Sequence, residues 1–271
     1  MVYNNISKAA MNSICCRFAN RYTKGCETMD TDYLKSLENY SSFTRKELSF
    51  AISEYGLNIS DSMLKVVIKK LLESHEIARV GRNAYCVINN SIKEYCYHYS
   101  ELSCEVAEIV SNNFPYLDFT IFELVQLNAF LNHQIAHNVV FISVEGDLCD
   151  FVFDKLKERY PGKVLINPTN EIYNQYWCDD MIVVERLVSE APRGIDKKWH
   201  TRIEKLLVDI YTDPIQKETF SASELPTIYE DAFAGYIIDE SCMFRYAKRR
   251  GIENKLKKYI LKNTDVKFRK G

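Results

Sequence analysis

Glycine and proline are scarce, nine and six residues in 271, about half the usual share. So few turn-formers disfavour a sandwich or barrel of many tight turns and favour long helices. Long apolar runs are missing too. The strongest, Val139–Val144, spans six residues and already contains Ser143, far short of the roughly 20 residues of a membrane helix. The first thirty residues hold no secretory core, because Asn12, Arg17 and Arg21 surround Ile14-Cys15-Cys16. These absences predict a soluble, cytoplasmic chain. No CxxC pair occurs among the nine cysteines, which excludes a zinc ribbon and argues against a secreted disulfide framework. They read as reduced thiols, mostly small core hydrophobes. Neither GxxxxGK[ST], GxGxxG nor GxSxG is present, so phosphate loops, dinucleotide fingerprints and nucleophile elbows are absent, and no cofactor is expected.

What is there is the balance of an ordinary globular protein, 46% hydrophobic and 27% charged, long enough for two domains. The net charge of −2 conceals an asymmetry. Residues 245–271 carry eleven Lys/Arg and two Asp/Glu, leaving 24 basic and 35 acidic groups in the preceding 244. A basic terminal block on an acidic body points to an anionic partner, although a solvated helix face is the commoner use of such a run.

Residues 1–40 lack sustained periodicity and read as an N-terminal extension with a short helix over 32–39. The first sharp signal is the Thr44-Arg45-Lys46-Glu47 capping box, with Phe43 placed to staple the helix start. Leu48, Ala51 and Ile52 form the buried face of that helix, and Gly56 ends it. Ser60 caps a second helix with a Leu64, Val67, Ile68, Leu71, Leu72 stripe. Residues 77–80 and 84–88 then read as two strands around Gly81-Arg82-Asn83, where positive φ is expected. Helix, helix and two-stranded ribbon are the order of a winged helix-turn-helix over residues 41–95. Its outward residues are Arg45 and Lys46 on the first helix, Ser62, Lys65 and Lys69 on the second, and Arg79, Arg82 and Asn83 on the wing. Lys and Arg neutralise phosphates there, and short polar groups read base edges. Residues 41–90 hold seven basic and five acidic groups, a balance of only +2, so a module used for protein contacts alone is the alternative.

Residues 100–271 read differently. Leu102, Val106, Ile109 and Val110 mark a helix. Strands are expected over 116–122, 138–144, 163–166 and 181–184, with helices over 124–131 and from Asp147 to Pro161-Gly162. The remainder reads as helices over 197–211, 223–236, 240–250 and 253–262. The expected class is α+β with a small mixed sheet and a helical, basic C-terminus. In the 197–211 helix the stripe is Ile203, Leu206, Leu207 and Ile210. Glu204 and Asp209 fall outside it and, with Asp213, read as a solvated acidic edge.

Two constellations invite chemistry. His133-Gln134-Ile135-Ala136-His137 is one letter from His-Glu-x-x-His, but Gln134 replaces the general base, so no metal site is expected. Asp147, Asp180 and Glu185 flank strands in a way that suggests a metal-dependent nuclease, yet Glu185-Arg186-Leu187 lacks the Lys of a Glu-x-Lys pair. The chain is therefore expected not to be an enzyme, with this nuclease as the alternative.

The order of winged helix, Val139-Val140-Phe141-Ile142-Ser143-Val144-Glu145, Leu187-Val188-Ser189-Glu190-Ala191-Pro192, Leu206-Leu207-Val208-Asp209-Ile210-Tyr211-Thr212-Asp213 and Phe244-Arg245-Tyr246-Ala247-Lys248-Arg249-Arg250-Gly251 resembles AbiEi-type antitoxins. These are the antitoxin halves of bacterial type IV abortive-infection systems, and the resemblance is to an uncharacterised related branch. It implies a regulator that binds its own promoter as double-stranded DNA, represses its operon and counteracts a nucleotidyltransferase-like toxin through its C-terminal half. On that basis Arg245, Lys248 and Arg249 are expected to serve the toxin-like partner, because Met243, Phe244 and Ala247 take the inward face of their helix.

Overall fold

The computed structural model describes residues 31–38, 40, 42–88, 93–194 and 197–268. Residues 1–30 of the expected extension, with Cys15, Cys16 and Cys26, lie outside the described residues, as do Arg269, Lys270 and Gly271. The described part opens with a 3₁₀ turn, Asp32–Leu37, followed by α1 (Arg45–Glu54), α2 (Asp61–Glu73), β1 (Ile77–Gly81) and β2 (Ala84–Val87).

Local signals build these elements. At the start of α1, Thr44 Oγ1 accepts the Glu47 N–H at 3.4 Å and the Thr44 N–H donates to Glu47 Oε2 at 2.6 Å, satisfying two orphan helix donors reciprocally. Ser60 Oγ accepts the Met63 N–H at the head of α2, and Gly56 takes φ +85° between the helices. Phe43 is buried and exchanges backbone hydrogen bonds with Tyr85, extending the hairpin sideways. Tyr33, Leu34 and Leu37 join Leu48, Ile52, Leu64, Val67, Ile68 and Leu71 in one core, so the 3₁₀ turn packs onto the helices. β1 and β2 pair antiparallel. Because strand side chains alternate, Ile77, Tyr85 and Val87 face this core, while Ala78, Val80 and Cys86 face the rest of the chain at Ile237. In the hairpin turn Asn83 adopts φ +55°, but Gly81 does not have positive φ. Gly81 instead sits where space is tight, since a Cβ there would lie 3.3 Å from Ser241 Oγ.

The larger unit runs α3 (Glu101–Asn113), β3 (Phe119–Glu123), β4 (Val139–Val144), α4 (Cys149–Arg159), β5 (Val164–Ile166), α5 (Asn170–Tyr176), β6 (Met181–Arg186), α6 (Ile203–Thr212), α7 (Pro214–Glu218), α8 (Leu225–Gly235), α9 (Glu240–Arg249) and α10 (Glu253–Asn263). The class is α+β. The sheet order is β3-β4-β6-β5, with β3 antiparallel to β4 and the other three mutually parallel. One face, bearing Ile121, Val140, Ile142, Ile182 and Val184, is covered by α3 and α4. The opposite face, bearing Phe122, Val139, Phe141, Met181 and Val183, is covered by α6, α8, α9 and α10. Glu123 is buried and accepts from Tyr97 OH, Ser103 Oγ, the Ser100 N–H and Ser100 Oγ. This carboxylate ties the segment entering α3 to β3.

Several expectations are corrected. The helix expected over 197–211 begins only at Ile203. Residues 199–201 instead line the open edge of β3, where the Ile121 N–H donates to the Trp199 carbonyl at 2.7 Å and Thr201 Oγ1 donates to the Ile121 carbonyl. An exposed strand edge leaves backbone groups unpaired, and this segment satisfies them. Residues 124–129 form a 3₁₀ turn rather than an α-helix. Asp147 lies exposed in a further 3₁₀ turn, and the α-helix after β4 starts at Cys149. The short helices α5 and α7 carry too few turns to show a sequence period. Among the described cysteines, Cys86, Cys149 and Cys242 are buried, whereas Cys96 and Cys104 are exposed. No helix among the described residues is long and apolar enough to cross a membrane.

Candidate functional site

The outward face of α2 follows from its inward one. With Leu64, Val67, Ile68 and Leu71 buried, Ser62, Lys65 and Lys69 are left exposed in helical register with Val66. Lys69 is 3.6 Å from Glu73, an exposed pair one turn along. On α1, Lys46 is exposed and Arg45 half-buried. At the hairpin, Arg79, Arg82 and Asn83 are exposed, and Arg79 Nε donates to the Gly81 carbonyl.

The hairpin turn is not free. Its Arg82 N–H donates to Ser241 Oγ at 3.3 Å, resting the turn on the first turn of α9. Further along α9, Met243, Phe244 and Ala247 are buried as expected, together with Tyr246. Arg245 and Arg249 converge on one carboxylate, Glu190. Arg245 Nε lies 3.5 Å from it, and Arg249 donates to its other oxygen. These bonds hold the Glu190 carboxyl below its ordinary value. Lys248 is exposed.

The two catalytic-looking constellations come apart. His133 Nδ1 lies 3.4 Å from Glu224, and His137 Nδ1 lies 2.6 Å from Asp179, so each imidazole has its own carboxylate on a loop rather than a shared helix face. Asp180 precedes β6 and Glu185 is its fifth residue, placing them about 16 Å apart along the strand. Among the described residues no group of three or more His, Cys, Asp or Glu gathers as a metal site.

A different polar cluster forms instead, on the sheet face covered by α6, α8, α9 and α10. Strand register aligns Thr120 with Ser143 and Ser143 with Glu185 across three neighbouring strands. Above this row, Ser143 Oγ donates to Glu185 Oε1 at 2.6 Å, and Lys205 Nζ contacts Ser143 Oγ at 3.3 Å and Asp209 Oδ2 at 2.7 Å. Tyr246 OH donates to Asp209 Oδ1 at 2.9 Å, and Arg250 approaches the same oxygen at 3.6 Å while donating to Thr212 Oγ1. Burial pushes the Glu185 carboxyl above its ordinary value, opposed by Lys205, and burial together with Asp209 pushes the Tyr246 phenol up. Burial also raises Asp213, against the hydrogen bond from the Gln216 N–H.

Glu204 and Asp209, expected on a solvated edge, are thus buried. Glu204 accepts from Arg202 and from the Asp239 N–H. The signal for this was Val208, which adds an apolar residue outside the stripe. A helix apolar on more than one side is buried all round, and its opposite charges at 205 and 209 must then pair.

Glu185 and Arg250 also line a cleft of about 840 Å³ at the carboxyl ends of β4, β5 and β6, with Glu145, Asn167, Arg186 and Arg193 around it. The crevice beyond the carboxyl ends of parallel strands is where open α/β sheets commonly take ligands. A family model described as "Family of unknown function (DUF6577)" matches residues 63–266. No curated protein matches the chain.

Proposed function

The chain belongs to the family of unknown function DUF6577, and we propose, from the surface of its N-terminal module, that it is a DNA-binding transcriptional regulator of the type IV antitoxin kind. In this reading residues 42–88 act as a winged helix, α2 enters the major groove, and the β1–β2 hairpin is the wing. The observation that carries it is the outer face of α2. Ser62, Lys65 and Lys69 stand exposed on one side of a helix whose opposite side is buried, next to a hairpin with exposed Arg79, Arg82 and Asn83. Positively charged groups there would supply affinity by phosphate neutralisation, and Ser62 and Asn83 would supply contacts to base edges. The larger α+β unit would then carry the second half of the antitoxin role, opposing a nucleotidyltransferase-like toxin.

The test is fluorescence anisotropy with a labelled duplex of the chain's own upstream DNA, titrated at several salt concentrations. Substituting Lys65, Lys69 and Arg82 by Gln is expected to weaken binding and to reduce the slope of log K against log salt by about 0.9 for every phosphate that is no longer neutralised. An unchanged slope removes this face from the DNA interface and favours a winged helix used for protein contacts. That second reading draws on the small charge surplus of the module and on the hairpin's docking against α9.

A further inference from the structure

The hairpin turn and the basic C-terminal helix meet, although about 160 residues separate them in the chain. Ser241, the residue that receives the Arg82 N–H, begins a row along one face of α9, with Arg245 and Lys248 following at i+4 and i+7. At the helical rise, Arg245 lies about 6 Å and Lys248 about 10 Å beyond Ser241 along the helix axis. On the hairpin side Arg82, whose N–H reaches Ser241, is exposed. The carboxylates nearest in sequence are engaged elsewhere, since Asp239 accepts the Cys242 N–H as the cap of α9 and Glu240 is buried. Glu190 is the carboxylate that faces Arg245 and Arg249, one acid between two guanidinium groups. Duplex DNA presents one phosphate about every 3.4 Å of axis on each strand, so Arg245 and Lys248, about 4.5 Å apart along the helix axis, can meet two neighbouring phosphates.

We propose that α9 extends the DNA surface of the hairpin, with Arg245 and Lys248 contacting the phosphate backbone of the same duplex that α2 and the wing engage. Glu190 occupies the anion seat between Arg245 and Arg249 in the free protein, and a phosphate replaces it in the complex. This assigns the basic helix to DNA rather than to a protein partner. It rests on the DNA-binding reading of residues 42–88.

The probe is a fluorescein-labelled 30-base-pair duplex of mixed sequence, titrated with the full chain between low and physiological salt. Arg245→Gln/Lys248→Gln is expected to flatten the log–log salt slope by about 1.8, two phosphates at about 0.9 each. Lys65→Gln/Lys69→Gln is expected to flatten it comparably. Glu190→Gln frees both arginines and is expected to tighten binding several-fold at low salt, a gain that misfolding cannot produce. If Arg245→Gln/Lys248→Gln keeps the wild-type slope while Lys65→Gln/Lys69→Gln flattens it, the extension to α9 is wrong and the winged-helix reading stands. If the wild-type chain does not bind the duplex at all, both readings fail together.

Discussion

Lys205 Nζ lies 2.7 Å from Asp209 Oδ2, one turn further along α6, and both side chains are buried between the sheet and α9. A surface pair at this spacing contributes a few tenths of a kcal/mol. This one is different, because either charge left alone would be stranded away from water. Lys205→Met is expected to destabilise the chain by about 3 kcal/mol, the low end for breaking a buried pair, since Tyr246 still donates to Asp209. Lys205→Met/Asp209→Leu should lose less than the sum of the two single variants. Urea unfolding of the four proteins in the cycle measures this, and simple additivity would mean that the two groups are not coupled.

Glu185 sets a pH dependence. Its folded carboxyl titrates above the ordinary value of 4.5 because of burial. A raised carboxyl holds its proton more tightly when folded. Its contribution is full below the unfolded value and is lost as pH rises through the folded one. Buried Glu204 and half-buried Asp213 act in the same direction. Glu185→Gln keeps an acceptor for Ser143 and removes the titration. It should therefore be more stable than the wild type at pH 8, with a flatter stability curve above pH 4.5. Equal loss at pH 5 and pH 8 would show that the charge on Glu185 is needed.

The capping box at α1 has the opposite sign. Hydrogen bonds from the Thr44 backbone and side chain hold the Glu47 carboxyl below its ordinary value. That contribution is present above the unfolded value and is lost as pH falls through the folded one. Thr44→Ala should cost about 1 kcal/mol at neutral pH, and less under acid conditions where Glu47 is protonated. Thermal melts of both proteins across the acid range give the comparison, and a pH-independent difference would reduce Thr44 to ordinary packing.

Gly81 and Ser241 are predicted to be coupled. A Cβ at residue 81 would already press on Ser241 Oγ at 3.3 Å and touch Ala84 Cβ at 3.5 Å, and the larger side chain of valine adds to that crowding. Gly81→Val should cost about 1–3 kcal/mol as overpacking, with part of it restored by Ser241→Ala. Chemical denaturation of the double variant decides the matter. No restoration would mean that the strain of Gly81→Val lies within the hairpin itself.

The N-terminal module is legible in the sequence because its signals are local. Thr44 and Glu47 stand three residues apart, Ser60 precedes the α2 stripe it caps, and Asn83 sits in the hairpin turn with the positive φ its side chain tolerates. The strands β4 and β6 were legible for a related reason, since a short, mostly apolar run fits a strand covered on both faces. The polar cluster is another matter. Thr120, Ser143, Glu185, Lys205, Asp209, Tyr246 and Arg250 come from five segments, and only strand register and the seating of α6 and α9 bring them together. A spacing rule ties Asp147, Asp180 and Glu185 to strand ends but is blind to which end of the sheet each occupies. It cannot show that residues 199–201 close the edge of β3, or that the hairpin turn rests on Ser241. Short-range hydrogen bonding and side-chain period are written in consecutive residues. Which side chains from other elements meet the Lys205–Asp209 pair, and which basic surfaces run together, depends on long-range packing that no local pattern encodes.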